Sequence, residues 1–236
     1  QRTFVVKVMG RNCGYLALMG ALACGADWVL IPESPPDVDN WEEVMVERLR
    51  AGRAAGRRDS IVILAEGARD RNGNYIGSSD VQRILEEGLQ EDVRVTVLGH
   101  VQRGGRPSAF DRNLGTLLGY EAVDAIMKAK PKDEPLHIGI KGNRFSEQPL
   151  MECVKNTHAV AEAISEKDYE RAMDLRSPSF KDAFRTVRTI MRALPHAPTP
   201  GQKRFRIAVL NAGAQAQGMN TASPTIIPLG FDLSHI

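Results

Sequence analysis

Five short runs rich in β-branched and apolar residues, at 4–9, 27–32, 60–66, 93–98 and 136–140, alternate with longer stretches patterned for helix. Parallel strands must be joined by a crossover, and a helix is the usual one. The alternation therefore predicts an α/β fold with parallel sheet covered by helices. Between the strands, 39–55 reads as a helix, because Trp41, Val44, Met45 and Leu49 recur at helical spacing and Asn40 with Glu43 resembles a capping box. Residues 108–129 read as another, with Ser108 as its cap, Pro107 before it, and Leu114, Leu117, Leu118 and Ala125 on one face.

After about residue 155 the strand pattern stops, and 156–166, 167–176 and 179–193 look helical. Pro195, Pro198, Pro200 and Gly201 then mark a linker. Beyond it, Phe205–Leu210 reads as a new strand running into the small-residue turn of 211–220. The expected organisation is one α/β region over 1–193, a linker over 194–203, and the start of a second, similar region over 204–236. Pro224 and Pro228 oppose the helix that should follow such a turn, so the tail from Ser223 reads as atypical. The first residue is Gln1 and a strand begins three residues later, which leads us to expect further chain upstream and an incomplete fold here.

Composition narrows the function classes. The chain has 236 residues, 42% of them hydrophobic and 25% charged, with a net charge of +2. Such a balance argues against a nucleic-acid protein held by a basic face, and is neutral about small anions. Three widely spaced cysteines, Cys13, Cys24 and Cys153, form no C-x-x-C, so neither a disulfide framework nor a zinc site is expected and a reducing compartment fits. The longest apolar stretch, 15–31, is interrupted by Gly20, Gly25 and Asp27 and is no membrane span.

Three segments can carry chemistry. In Leu98-Gly99-His100-Val101-Gln102-Arg103-Gly104-Gly105-Arg106-Pro107 an apolar strand ends and His100 and Arg103 follow. Two glycines then permit close backbone approach before a capped helix. A helix N-terminus flanked by His and Arg suits a phosphate. The same residues also fit a tight turn with surface charges. In Val8-Met9-Gly10-Arg11-Asn12-Cys13-Gly14 a strand again ends with an Arg among glycines. Arg11 can stabilise charge on a transferring phosphoryl group, or stand as a solvated arginine in a strand-to-helix turn. Glu66 lies just past a buried strand, where parallel-sheet proteins bind ligands, and can accept hydrogen bonds from sugar hydroxyls.

Arg2 and Arg94 sit at the opposite, amino ends of two of these strands. By the rise of an extended chain, about 20 Å separates Arg94 from His100 and about 30 Å separates Arg2 from Arg11. One hexose monophosphate cannot span this. Either these are ordinary surface arginines or they serve a second subunit or repeat.

Together, Met9-Gly10-Arg11, Ala65-Glu66-Gly67 and Arg94-Val95-Thr96-Val97-Leu98-Gly99-His100-Val101-Gln102-Arg103-Gly104-Gly105 resemble the 6-phosphofructokinases in order and spacing, and the resemblance runs from Gln1 to about Ala222. The larger eukaryotic members are two fused, similar halves. This chain resembles the later part of the first half, the linker and the opening of the second. The resemblance implies transfer of the γ-phosphoryl of MgATP to the C1 hydroxyl of fructose 6-phosphate, in the cytoplasm, by a homo-oligomer of tetramer type. It implies that Met9, Gly10, Arg11, Glu66, His100, Val101, Gln102 and Arg103 contact the sugar phosphate on one subunit. Arg2 and Arg94 would reach the 6-phosphate of a neighbour, Arg11 would neutralise transition-state charge, and Asp27 would fall in an effector site.

Departures from the family pattern matter as much. Its Gly-Gly-Asp loop and its Thr-Ile-Asp-Asn-Asp run, which carry the ATP site and the catalytic base, do not occur in this sequence. Asp37-Val38-Asp39 lies in a Pro-rich turn and is no substitute. The loop Ala212-Gly213-Ala214 has no acid to hold Mg²⁺, and Lys7 stands where the simpler enzymes carry an acid. The resemblance therefore implies a chain bearing the sugar-phosphate side of the reaction, without metal ligands and inactive alone. A non-catalytic sugar-phosphate-binding or regulatory chain and a pyrophosphate-dependent kinase are the alternatives.

Overall fold

A computed structural model describes residues 2–142, 144–193, 208–210 and 226. They divide into two compact units, one formed by the described residues up to Gly99 and from Arg176 onward, the other by those from His100 to Leu175. The expected linker at 194–203 lies outside the described residues. Of the strand expected at Phe205–Leu210 only 208–210 are described, and they carry no strand.

The first unit is built on four parallel strands, β1 (Arg2–Val8), β2 (Trp28–Leu30), β3 (Asp59–Ala65) and β4 (Asp92–Val97), in the order β2-β3-β1-β4. Helix α1 (Tyr15–Cys24) joins β1 to β2, α2 (Trp41–Ala54) joins β2 to β3, and α3 (Ser78–Leu89) joins β3 to β4. Crossovers between parallel strands are right-handed. The chain moves one way along the sheet from β1 to β2 and the other way from β2 to β3 and β3 to β4, so α1 covers one face and α2 and α3 the other. On the α2–α3 side, Val5, Leu30, Val62 and Leu64 from the sheet bury against Met45, Leu49, Val81 and Leu85. On the α1 side, Ala17, Leu18 and Ala21 are buried, and α7 (Pro178–Arg192) packs on α1 with Phe180 and Val187 inside. Ser177 caps α7 by accepting the Phe180 N–H at 3.3 Å.

This order places β1 beside β3 while their following helices leave to opposite faces. Such a reversal opens a crevice at the carboxyl ends of the two strands, where open α/β sheets bind ligands.

The second unit contains α4 (Ala109–Lys128), the strands β5 (Leu136–Lys141) and β6 (Arg144–Pro149), α5 (Leu150–Ser165) and α6 (Tyr169–Asp174). Ser108 caps α4 as expected: its hydroxyl accepts the Asp111 N–H at 3.2 Å, and Asp111 accepts the Ser108 N–H at 2.8 Å. Val160, Ala163, Ile164 and Ala172 make a small core between α5 and α6. Among the described residues α4 buries none of its side chains, and Phe110, Leu117, Tyr120, Val123 and Met127 stand exposed at helical spacing.

Three local expectations need correction. The run at 136–140 belongs to no parallel series: β5 pairs antiparallel with β6 in a separate two-stranded sheet. Only residues 142 and 143 connect them, far too few for a crossover. Helix α5 begins at Leu150 and not 156. Asn40 and Glu43 do not form a capping box, because the Asn40 amide donates to the Glu43 carboxylate at 3.3 Å and no side chain caps the backbone.

Candidate functional site at the carboxyl ends of β1 and β3

The chain leaves β1 through a tight turn. The Cys13 N–H donates to the Gly10 carbonyl at 2.9 Å, Gly10 has φ +148° and Arg11 has φ +50°. A left-handed conformation is costly for a residue with a side chain, and it persists only where neighbours enforce it. Here they do. Glu66, the first residue after β3, accepts the Arg11 N–H at 3.0 Å and the Gly10 N–H at 3.2 Å through one carboxylate oxygen. Gly67 lets the strands approach so closely that an added Cβ would lie 2.2 Å from the Arg11 carbonyl oxygen.

The N–H groups of Arg11 and Gly10 hold the Glu66 carboxyl below the ordinary glutamate value, and the charges of Lys7 and Arg11 add to the effect. Glu66 is therefore a stable anion, poor as a proton acceptor and good as a hydrogen-bond acceptor. Its second oxygen has no partner among the described residues. Lys7 is held by the Tyr75 hydroxyl at 2.9 Å, and the Arg11 side chain is exposed. The crevice so presents a cation, a carboxylate acceptor and a fixed turn, a set that suits an anionic polyol. The set does not fit a magnesium ion: it offers one free carboxylate oxygen, and that carboxylate is flanked by the cations Lys7 and Arg11.

Beneath the same turn lies a residue that sequence reasoning missed. Glu33, just past β2, is fully buried and accepts the Gly14 N–H at 3.0 Å with each carboxylate oxygen. Arg176 pairs with it at 2.7 Å and also donates to the Asn12 carbonyl at 3.2 Å. The signal was available, since Glu33 follows an apolar strand at the same sheet edge as Glu66.

His100, Val101, Gln102 and Arg103 belong to the second unit and lie in a 3₁₀ turn, Gly99–Arg103, with His100, Val101 and Arg103 exposed. Arg2 and Arg94 sit at the amino end of the first sheet and share Asp92, at 3.9 Å and 3.0 Å. The length of β1, about 20 Å, lies between Arg2 and the turn that carries Arg11, and Arg94 stands two residues nearer, level with Phe4. Asp27 is buried, pairs with Arg57 and accepts the Ile61 N–H at 2.9 Å, which clamps the start of β2 to β3. Cys13, Cys24 and Cys153 are free thiols, and no described helix is long and apolar enough to cross a membrane.

Known proteins share both sequence and geometry with this chain. The family profile described as phosphofructokinase matches residues 1–126. The muscle-type ATP-dependent 6-phosphofructokinase of Oryctolagus cuniculus is 49% identical over 98% of this chain, and the liver-type enzyme of Homo sapiens is 48% identical over all of it. The chain spans only 29% and 30% of those two relatives. Phosphofructokinase from Saccharomyces cerevisiae superposes with a TM-score of 0.94 at 42% identity, covering 99% of this chain and 31% of that one. The Pichia pastoris phosphofructokinase T-state structure gives 0.78 at 43% identity over 81% of this chain and 20% of that one. With the β1–β3 crevice, its strained arginine turn and its anchoring glutamate, these likenesses establish that the chain belongs to the phosphofructokinase family.

Proposed function

We propose that this chain is the acceptor side of an ATP-dependent 6-phosphofructokinase of the fused-half type, which phosphorylates the C1 hydroxyl of fructose 6-phosphate. The carrying observation is the turn in which Glu66 holds the backbone of Gly10 and Arg11 at the switch point of the sheet. In this reading the second Glu66 oxygen accepts a sugar hydroxyl. Arg11, fixed at its backbone and exposed at its guanidinium, meets the phosphoryl group and stabilises charge that develops on transfer. Met9 and Gly10 form the wall behind the sugar. His100, Val101, Gln102 and Arg103 are proposed contacts on the strength of their motif. Arg2 and Arg94 are proposed to serve a neighbouring subunit of a homo-oligomer. Their place at the far end of the sheet supports that.

Magnesium-bound ATP supplies the phosphoryl group in the family reaction. We assign its binding to segments of the relatives that this chain does not span. The acceptor hydroxyl must also lose a proton. Glu66 is a poor base because its carboxyl is held low. The chain alone is therefore expected to bind fructose 6-phosphate without turnover, and the enzyme is expected to work in the cytoplasm. A coupled assay with MgATP and fructose 6-phosphate tests this. Robust turnover by the chain alone contradicts the assignment of donor and base to residues outside it.

A further inference from the structure

The Arg11 turn is held from two sides, and only one of them touches the crevice. Glu66 restrains the backbone at Gly10 and Arg11. On the buried side the turn runs into α1, whose N-cap is Gly14, a residue with no side chain to accept the helix's first N–H groups. From another strand end Glu33 accepts the N–H of Gly14 itself, the N-cap residue, with both oxygens at 3.0 Å. A carboxylate at a helix N-terminus is favoured by the helix dipole. Gly14 must be glycine here, since an added Cβ would lie 2.5 Å from the Ile31 Cβ and 2.7 Å from a Glu33 oxygen.

A buried carboxylate needs a counter-charge. Arg176 provides it through Nε at 3.0 Å and Nη2 at 2.7 Å, and the same Nη2 also donates to the carbonyl of Asn12, the residue after Arg11. Arg176 is the first residue of the segment that returns to this unit, and the capped helix α7 packed on α1 fixes where it stands. The two contacts therefore tie Asn12 and Gly14 to one charge pair, a buried Glu33 with a partly exposed Arg176, while Arg11 itself stays exposed.

We propose that Glu33 and Arg176 are positioning residues that hold Arg11 in its left-handed conformation and so aim its guanidinium at the sugar phosphate. The aim rests on the sugar-phosphate reading of the crevice, whereas the hold on the turn does not. A pair serving only general stability would weaken ligand binding whatever residue stands at 11. A positioning pair acts through Arg11.

The test is a double-mutant cycle in the full chain, with fructose 6-phosphate as probe and the Kd read by calorimetric titration. Glu33→Gln removes the buried charge with little change of shape, and Arg176→Lys keeps the charge but loses the two-point grip. Each is expected to raise the Kd about tenfold with Arg11 present and by less than about twofold in an Arg11→Ala background. Equal factors in both backgrounds overturn the proposal. Arg176→Lys keeps the test informative if Glu33→Gln fails to fold. If the unaltered chain does not bind fructose 6-phosphate, the functional reading fails first. Amide hydrogen exchange then decides the hold on its own. The Cys13 and Gly14 amides of Arg176→Lys should exchange about tenfold faster while Val5 and Val6 of β1 keep their rates. Unchanged rates in the turn, or an equal rise in β1, overturn it.

Discussion

The two ends of the four-stranded sheet carry similar charges and use them differently. At the amino end, Arg2 and Arg94 share Asp92 with more than half of each side chain exposed. At the carboxyl end, Glu33 is fully buried against Arg176, and Glu66 spends its charge on two backbone N–H groups of a strained turn. Exposed pairs are screened by water and worth little, whereas a buried pair that loses one partner leaves an uncompensated charge. The amino end can therefore change its arginines with little effect on the fold. The carboxyl end cannot, and the residues there fix the geometry of the Arg11 turn.

The largest expected effect tests the buried pair. Arg176→Met should lower unfolding stability by about 3–5 kcal/mol, read by urea titration, because Glu33 is left charged inside the protein. A loss as small as that of a surface pair would erase the contrast between the two ends. Gly67→Ala comes next. Its new Cβ meets backbone and not a flexible side chain. A cost of about 1–3 kcal/mol and a displaced Arg11 turn are expected, measured by denaturation and by chemical shifts of residues 10–14.

Glu66→Gln sharpens the comparison through pH. The folded Glu66 carboxyl lies below its ordinary value of 4.5, so its contribution is complete above that value and is lost as pH falls through the folded value. The unaltered chain should out-melt Glu66→Gln at neutral pH, and the gap should close on acidification. A gap that persists in acid would mean that hydrogen-bond shape, and not charge, holds the turn. The smallest effect belongs to the amino end, where Arg2→Ala and Arg94→Ala should each change stability by less than about 0.5 kcal/mol.

Much of this sheet was legible in the sequence. The β1 and β3 runs stand out because buried parallel strands are rich in consecutive apolar residues, β4 because of its β-branched residues, and the Ser108 cap because its offset to Asp111 is a local signal. Arg11 and Glu66 were legible for the same reason, each following a recognisable strand. What sequence hid depended on partners distant along the chain. The sequence shows Glu33 only as an acid after an apolar strand, and its role stays hidden until Arg176, 143 residues later, stands beside it. The β5–β6 hairpin was hidden because Arg144–Pro149 carries no strong strand pattern and only pairing with β5 defines it. Asn40 and Glu43 misled because the right residues at the right spacing satisfied each other and not the helix end.

The most direct test of the central claim is calorimetric titration of the full chain with fructose 6-phosphate, run beside its Arg11→Ala variant. The account predicts binding by the unaltered chain and a Kd raised at least about tenfold in the variant, the loss expected for a charged hydrogen bond to a phosphate. No binding by the unaltered chain, or equal binding by both, would contradict a sugar-phosphate site built around the Arg11 turn.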